Sequence, residues 1–227
     1  MNMKETLISS LLCAGLSEED LEKLCGILSA NAFIKKIDAQ ETLMPIGIVS
    51  DYIYLLEEGL VRTVNYTNAG EEISFFYFKG GDFVGLINTI AEEKCYSEYV
   101  AVKASSAYAI PVDDFRGSMD AILPFQKNIL KAVSHKSLDL IQLVVISRRK
   151  RTRDRICSYL YMEYEKNNDS TYRTPFTIEL LARRLNLTRS ALSKELHAME
   201  EEGLVKISKN RIYLPDPEKL KDYLFHD

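Results

Sequence analysis

The sequence predicts an α+β chain in which an antiparallel jelly-roll barrel is followed by one long helix and a small, mostly helical C-terminal domain. Three observations lead to this prediction. Short β-rich runs alternate with turn signals from about residue 33 to 112, an apolar stripe with helical spacing follows Pro124, and the pattern beyond Arg153 is mostly helical. We therefore expect three segments, at residues 1–124, 125–148 and 149–227.

The composition is that of an ordinary globular protein. Of the 227 residues, 46% are apolar and 27% are charged, which is enough for one large or two modest domains. The chain has no run of 18 apolar residues and no N-terminal pattern typical of a signal peptide. We therefore expect a cytoplasmic protein without a membrane span.

The first segment begins with one or two short helices and continues as strands. Ser17 precedes three acidic residues, which is typical of a helix start. The runs 52–56, 60–64 and 73–78 are rich in β-branched and aromatic residues, and turn signals separate them at 57–59, 67–70 and 79–82. Several short strands at regular spacing favour an antiparallel barrel.

The second segment has the pattern of a single helix longer than twenty residues. Apolar residues recur at three- and four-residue spacing from Leu130 to Val144. Such a helix has two natural uses, covering the barrel or pairing with a second copy of itself. We expect a homodimer built on residues 125–147, with Val133, Leu140 and Val144 in the interface.

Charge is distributed unevenly along the chain. Residues 1–147 contain 12 Lys and Arg against 20 Asp and Glu, whereas residues 148–227 contain 17 against 13. A basic segment attached to an acidic body indicates a polyanionic partner for the C-terminal third. A solvated basic surface gives the same count, so the charge alone leaves both interpretations open.

Residues 177–202 carry the clearest functional pattern. Thr177 and Thr188 stand where they can cap two consecutive short helices, and Asn186 lies at the break, where a tight turn needs a residue that tolerates the left-handed conformation. The second helix has an apolar face at i, i+4 and i+7, formed by Leu192, Leu196 and Met199.

The opposite face of this second helix is basic and hydroxylic. It carries Arg189, Ser190, Ser193, Lys194 and His197. Two short helices joined by a four-residue turn, with such groups near the start of the second, are typical of a helix-turn-helix that binds DNA. The alternative is an ordinary αα-hairpin with solvated charges.

A short hairpin completes a winged form of this motif. Gly203 ends the second helix. Residues 204–208 and 211–214 then alternate about a turn at residues 209–210, and the hairpin carries Lys206, Lys209 and Arg211.

The order of barrel, long helix and winged helix-turn-helix resembles the cyclic-AMP receptor/fumarate–nitrate regulator (Crp/Fnr) family of bacterial transcription factors. Residues 55–61 (LLEEGLV) resemble the family's strand–turn–strand, residues 78–85 (FKGGDFVG) its Gly-Asp-x-x-Gly turn, and residues 187–194 (LTRSALSK) its recognition helix. The resemblance covers essentially the whole chain. It implies a homodimeric transcription regulator rather than an enzyme, with a cyclic-nucleotide-binding-like barrel, a double-stranded DNA operator and RNA polymerase among its partners.

The resemblance also assigns base-reading positions. Where the family has Arg, Glu and a later Arg, this chain has Arg189, Ser190 and Lys194. Arg189 can bind a guanine edge bidentately, but Ser190 cannot accept from cytosine as Glu does, so the operator should differ from the family's best-known half-site. We expect Ser193 to assist the reading of bases. Phosphates should be held by Thr177, Thr188, Lys206 and Lys209.

An effector pocket is implied at the barrel, although the residues argue against cyclic AMP. Nucleotide-binding members offer a Glu to the ribose and an Arg-Ser pair to the cyclic phosphate, and here Leu86 and Tyr96 stand at the Glu and Arg positions. A buried phosphate without its guanidinium loses a charge-assisted pair and is desolvated at a cost. The expected lining, which favours a neutral or weakly polar ligand, is Gly85, Leu86, Tyr96, Ser97, Tyr99, Ser137, Leu140 and Ile141.

Cysteine and histidine positions argue against a resident metal, haem or iron–sulfur cluster. The four cysteines, at 13, 25, 95 and 157, form no C-x-x-C motif and do not match the N-terminal cluster of the iron–sulfur branch. All three histidines, at 135, 197 and 226, lie outside the barrel, which excludes a cupin-type metal enzyme. Three alternatives stay open: a filled barrel without a ligand, a module that binds protein, and a redox-responsive regulator that uses its cysteines.

Overall fold

The computed structural model describes residues 2–66, 70, 72–173, 177–208 and 211–224. The chain divides into two compact units, Met1–Ser137 and Leu138–Asp227. The first has an antiparallel sheet with helices, and the second is mainly helical with a small sheet, which confirms the predicted fold class. The predicted domain boundaries at residues 124 and 148 stay predictions.

Among its described residues, the first unit has four α-helices before the long one, a 3₁₀ turn and seven strands. In chain order these are α1 (Met3–Ile8), a 3₁₀ turn (Leu11–Cys13), α2 (Glu18–Ser29), β1 (Phe33–Ile37), β2 (Thr42–Met44), β3 (Tyr52–Tyr66), β4 (Glu72–Ile73), β5 (Tyr77–Lys79), β6 (Phe83–Val84), α3 (Leu86–Ala91), β7 (Glu98–Pro111) and α4 (Val112–Ala121). The Ser17 side chain accepts a hydrogen bond from the Asp20 amide, which confirms the predicted start of α2.

Two long strands, β3 and β7, form the centre of the sheet. They pair antiparallel from Tyr52–Pro111 at one end to Val64–Glu98 at the other. Strands β1 and β2 pair with β7, while β4, β5 and β6 pair with β3, all antiparallel. The short strands are therefore positioned by this one pair.

Successive residues of β3 and β7 face two different cores, because side chains alternate across a strand. One core, shared with the helices, includes Ile53, Leu55, Tyr108 and Ile110. The other, in the barrel interior, includes Tyr54, Leu56, Ala107 and Ala109. Both faces of the central pair are thus buried.

The sequence prediction was wrong at two points in this sheet. The predicted turn at residues 57–59 is a bulged stretch inside the continuous strand β3, where the pairing with β7 shifts register. The predicted strand at residues 73–78 is two short strands, β4 and β5, separated by residues 74–76. Gly59 has φ +111°, and Leu60 N donates to Ser105 Oγ (3.2 Å) beside it.

The second unit begins within the long helix. Its elements are the end of α5 (Leu123–Arg148), α6 (Thr152–Asn167), β8 (Thr171–Arg173), α7 (Ile178–Arg184), α8 (Arg189–Glu201), β9 (Lys206–Ser208), β10 (Arg211–Tyr213) and a C-terminal 3₁₀ helix (Pro217–Tyr223). The 26 residues of α5 confirm the predicted long helix. None of the described helices combines the length and hydropathy that crossing a membrane requires.

We predict that Gly59→Ala lowers the free energy of unfolding by about 2–4 kcal/mol. An alanine at this positive φ is strained, and its added Cβ would clash with the side chain of Ser105. That Cβ would lie 2.0 Å from Ser105 Oγ. Urea unfolding measures the change. The matched control is Gly26→Ala inside α2, where a Cβ meets no atom within 4 Å, and which should stabilise by about 0.5–1 kcal/mol. Equal stability of Gly59→Ala and the unmodified protein would contradict the described bulge.

Candidate nucleic-acid interface

Two capped helices, α7 and α8, form the predicted helix pair. Thr177 Oγ1 accepts from the Leu180 amide (3.4 Å), and Thr188 Oγ1 accepts from the Ala191 amide (3.1 Å). Each hydroxyl satisfies one of the amides that a helix start leaves without a partner. The structure therefore confirms both predicted N-caps, and it confirms that α8 begins at Arg189.

The turn between the two helices is short and held by the backbone. Asn186 has φ +53°, the left-handed conformation predicted for it. The Leu187 amide donates to the Ala182 carbonyl (2.9 Å), which closes the turn onto the end of α7. Ala182 and Leu185 are buried, so the small side chain at position 182 lies on the face of α7 that packs against its neighbours.

The two faces of α8 differ as predicted. Leu192, Leu196 and Met199 are buried against the rest of the second unit. On the opposite face Arg189, Ser190, Lys194 and His197 are exposed, and Ser193 is half-buried. The Ser190 and Thr188 hydroxyls are 3.2 Å apart at the start of the helix. Basic and hydroxyl groups thus project together from the N-terminal half of α8.

A three-stranded sheet combines β8, which precedes α7, with the predicted hairpin that follows α8. Strand β10 pairs antiparallel with β9, which confirms the hairpin, and also with β8, which the sequence did not predict. Lys206 and Arg211 are exposed on it. Glu200 Oε1 accepts from the Ile207 amide (2.7 Å), so the hairpin is fixed to α8. Lys209, a predicted phosphate contact, lies outside the described residues.

Family comparisons agree with this architecture in both units. Residues 34–121 match the cyclic nucleotide-binding domain, and residues 154–223 match the Crp-like helix-turn-helix domain. The chain belongs to the Crp/Fnr family. It is therefore a DNA-binding transcription regulator with a cyclic-nucleotide-binding-like domain, in a family of regulators rather than enzymes.

Individual relatives of this Crp/Fnr regulator are distant in sequence. It is 22% identical over 209 residues to the anaerobic regulatory protein of Pasteurella multocida, covering 88% of this chain and 74% of the relative. A CooA mutant from Carboxydothermus hydrogenoformans has a TM-score of 0.76 at 16% identity, covering 95% of this chain and 96% of that one. FixK2 from Bradyrhizobium japonicum has a TM-score of 0.70 at 14% identity, covering 86% and 98%. The structural likenesses show the shared fold.

The structure separates the predicted effector residues of the first unit. Tyr99 lies in the barrel interior, where its hydroxyl donates to Asn88 Oδ1 (2.8 Å), and Gly85 begins α3 with φ +91°. Leu86 belongs instead to the core shared with the helices, and Tyr96 is 62% exposed. Leu86 and Tyr96 are the two residues aligned with nucleotide-binding positions. Leu86 therefore packs in the core shared with the helices rather than in the barrel interior, and Tyr96 faces solvent.

The remaining predicted effector residues are polar or on the long helix. Ser97 Oγ accepts from Asn65 Nδ2 (2.7 Å), and both residues are half-buried. Ser137 is exposed and donates to the Val133 carbonyl (3.0 Å). Leu140 and Ile141 belong to the second unit, in which Leu140 is half-buried and Ile141 is exposed.

Lys136 is a residue of this region that the sequence did not single out. Its ammonium lies 5.0 Å from the ring centre of Phe76 and 4.8 Å from that of Phe78. Phe78 is buried in the barrel interior, next to Tyr99 with a centroid distance of 5.8 Å. Since cation–π attraction favours such positions, Lys136 joins α5 to the aromatic interior of the barrel.

The exposed apolar side chains of α5 form a stripe. Leu130, Leu138, Ile141 and Val145 are between 55% and 69% exposed and recur at eight-, three- and four-residue spacing. Of the predicted interface residues, Val144 is exposed at the margin of this stripe. Leu140 and Val133 are seven residues apart and lie on another face, since one residue advances the helix by 100°. Val133 also packs partly against the core of the first unit.

Burial disfavours the reactive form of three of the four cysteines. Burial raises the pKa of the Cys13 and Cys157 thiols to about 12 and raises that of Cys95 as well. These thiols are therefore protonated at neutral pH, whereas the thiolate is the reactive form. Among the described residues no group of three or more His, Cys, Asp or Glu side chains could hold a metal ion.

Proposed function

We propose that this Crp/Fnr regulator binds a pseudo-palindromic operator as a homodimer and reads each half-site with α8 in the major groove. The observation that carries the proposal is the capped, exposed N-terminal half of α8, with Arg189, Ser190 and Lys194 directed away from the buried face. A recognition helix contacts base edges with its N-terminal residues. The two half-sites would then be about one helical turn apart.

Within this interface the residues divide by chemistry. Arg189 and Lys194 are the base readers, assisted by Ser190 and Ser193, because a guanidinium or ammonium can donate to guanine O6 and N7. Thr177 at the start of α7, Thr188 at the start of α8 and Lys206 on the hairpin are exposed, and they hold phosphates. Lys209 is assigned to the same group from the sequence alone.

Dimerisation uses the stripe of α5. An apolar stripe of four residues that are more than half exposed is costly to leave in water, and a parallel copy of the helix would bury it. In place of Val133 and Leu140, the interface would therefore be formed by Leu130, Leu138, Ile141 and Val145, with Val144 at the margin. A dimer of this kind sets the distance between two DNA-reading helices.

The barrel is proposed to control operator binding through a small effector other than a cyclic nucleotide. Asn65, Ser97 and Tyr99 give its interior a few polar groups among aromatic ones, and Lys136 extends from α5 over Phe76 and Phe78. Neither Leu86 nor Tyr96 supplies the charge that a cyclic phosphate needs. An occupant that changes the position of Lys136 would act directly on α5.

The first test is selection of bound duplexes from a random DNA library. We expect an inverted repeat to be enriched, and failure to enrich any motif would refute the regulator as described. With the selected operator, Arg189→Ala should cost about 1–3 kcal/mol and relax the preference at one base position. Lys206→Ala should weaken all sequences alike and reduce the salt slope by about 1. Identical behaviour of the two variants would contradict the division into readers and phosphate contacts.

We also predict that Ile141→Asp converts the dimer to a monomer, since a carboxylate would be desolvated at the helix seam without a partner. Sedimentation equilibrium at micromolar concentration measures the mass. Leu11→Asp is the matched control, because Leu11 is 80% exposed in the 3₁₀ turn of the first unit and should leave the mass unchanged. A monomeric unmodified protein, or a dimeric Ile141→Asp variant, would refute the proposed interface.

For the effector, we predict that millimolar cyclic AMP leaves the thermal midpoint of unfolding unchanged. A ligand at one hundred times its dissociation constant adds about 2.7 kcal/mol, which for a chain of this length raises the midpoint by about 5–10 °C. Thermal-shift measurements against neutral and weakly polar metabolites search for the effector. A clear shift with cyclic AMP that Ser97→Ala abolishes would refute this view of the barrel.

A further inference from the structure

Arg153 connects α6 to α8, the proposed recognition helix. It is the second residue of α6, and its guanidinium makes three hydrogen bonds to α8: Nε to Glu195 Oε1 (2.6 Å), and the two terminal nitrogens to Glu202 (2.7 and 2.8 Å). The bonds to Glu202 use both carboxylate oxygens, which is the bidentate arrangement that fixes orientation as well as distance.

The two carboxylates lie on the side of α8 that faces away from the proposed DNA contacts. Glu195 and Glu202 are seven residues apart, about two helical turns, so they share one face of the helix. At 100° per residue this face is on the opposite side of the helix from Ser193 and His197. One arginine therefore holds α8 from behind at two points along its axis.

The surroundings of Arg153 hold the guanidinium in place. Its side chain and that of Glu195 are each 24% exposed. The ring of Tyr223, in the C-terminal 3₁₀ helix, lies 5.8 Å from the guanidinium carbon, within the range of a cation–π contact. The position of the arginine is thus determined by three elements of the second unit.

A second arginine of α6 holds the turn before the recognition helix. Arg155 donates from Nε to the Arg149 carbonyl (2.7 Å) and from a terminal nitrogen to the Asn186 carbonyl (2.8 Å). Asn186 is the left-handed residue of the turn between α7 and α8. Arg155 therefore fixes the approach to α8, while Arg153 fixes the rest of the helix.

We propose that Arg153 is a positioning residue that determines operator specificity by fixing the rotation and tilt of α8. This inference rests on the proposed function. The apolar contacts of Leu192, Leu196 and Met199 bury the helix but are not directional. A planar guanidinium bound to two carboxylates is directional, and a small error in placement is enough to weaken base contacts. Since these bonds fix orientation as well as distance, the effect should fall on recognition.

The test compares the affinity for the selected operator with that for a shuffled duplex, using the full-length protein. Arg153→Met should lower this ratio about tenfold, equivalent to about 1.4 kcal/mol, while binding to the shuffled duplex changes less than twofold. Lys221→Met is the matched control, because it removes one positive charge from an ion pair with Glu218 (2.6 Å) outside α8. Its operator ratio should equal that of the unmodified protein.

Further variants test the mechanism. Arg153→Lys keeps the positive charge but loses the planar, bidentate guanidinium. It should therefore recover less than half of the loss in the logarithm of the affinity ratio. Glu202→Gln should lower the ratio, and the double variant Arg153→Met with Glu202→Gln should lose no more than Arg153→Met alone, because both changes remove one interaction. Should Arg153→Met fail to fold by circular dichroism, Glu195→Gln and Glu202→Gln decide the question.

The outcomes separate the two hypotheses. An unchanged ratio in a folded Arg153→Met protein, an equal loss in Lys221→Met, or full recovery by Arg153→Lys would overturn the role of Arg153 and leave the proposed function standing. Absence of any operator preference in the unmodified protein would overturn the proposed function, and this inference with it.

Discussion

The long antiparallel pairing of β3 with β7 is the constraint on which the first unit depends, because every other strand of its sheet is attached to one of these two. Its alternating side chains supply residues to both cores, so the barrel interior and the layer beneath the helices are built from the same strands. Strand β7 ends at Pro111, which begins α4, and α4 places Phe115 against Phe83 and Phe125. The start of α5 is thereby anchored to the sheet through a cluster of aromatic rings.

In the second unit the recognition helix is held on every side except the one that carries its basic face. Leu192, Leu196 and Met199 pack beneath it, Glu200 fixes the hairpin, and Arg153 connects it to α6. The conformational entropy of such a helix is lost on folding rather than on binding, so less entropy is lost when DNA is bound. This division of α8 into a fixed back and an exposed front would suit it to the base reading proposed above.

Local features of both units could be predicted from the sequence because their causes lie within a few residues. The caps Ser17, Thr177 and Thr188 and the left-handed Asn186 each depend on neighbours in the chain. The missed features depend on distant pairs. The bulge at Gly59 is defined by Ser105, 45 residues later than its partner Leu60, and the contact of Arg153 with Glu202 spans 49 residues. The same reason explains why the pairing of β8 with β10 and the position of Lys136 over Phe78 had no signal in the sequence.

In the proposed interface, Ser190 stands where the family resemblance implies an acidic base reader, and this would raise the demand on the placement of α8. A long side chain such as Arg189 or Lys194 can compensate for a displaced backbone through its own rotamers, at a cost in side-chain entropy. A serine hydroxyl stands one bond beyond Cβ, so its reach is fixed by the backbone that carries it. Any contact that Ser190 or Ser193 makes with a base therefore depends on how accurately α8 is held. The serines at the front of the helix and the carboxylates at its back, bound by Arg153, are two parts of the same physical requirement.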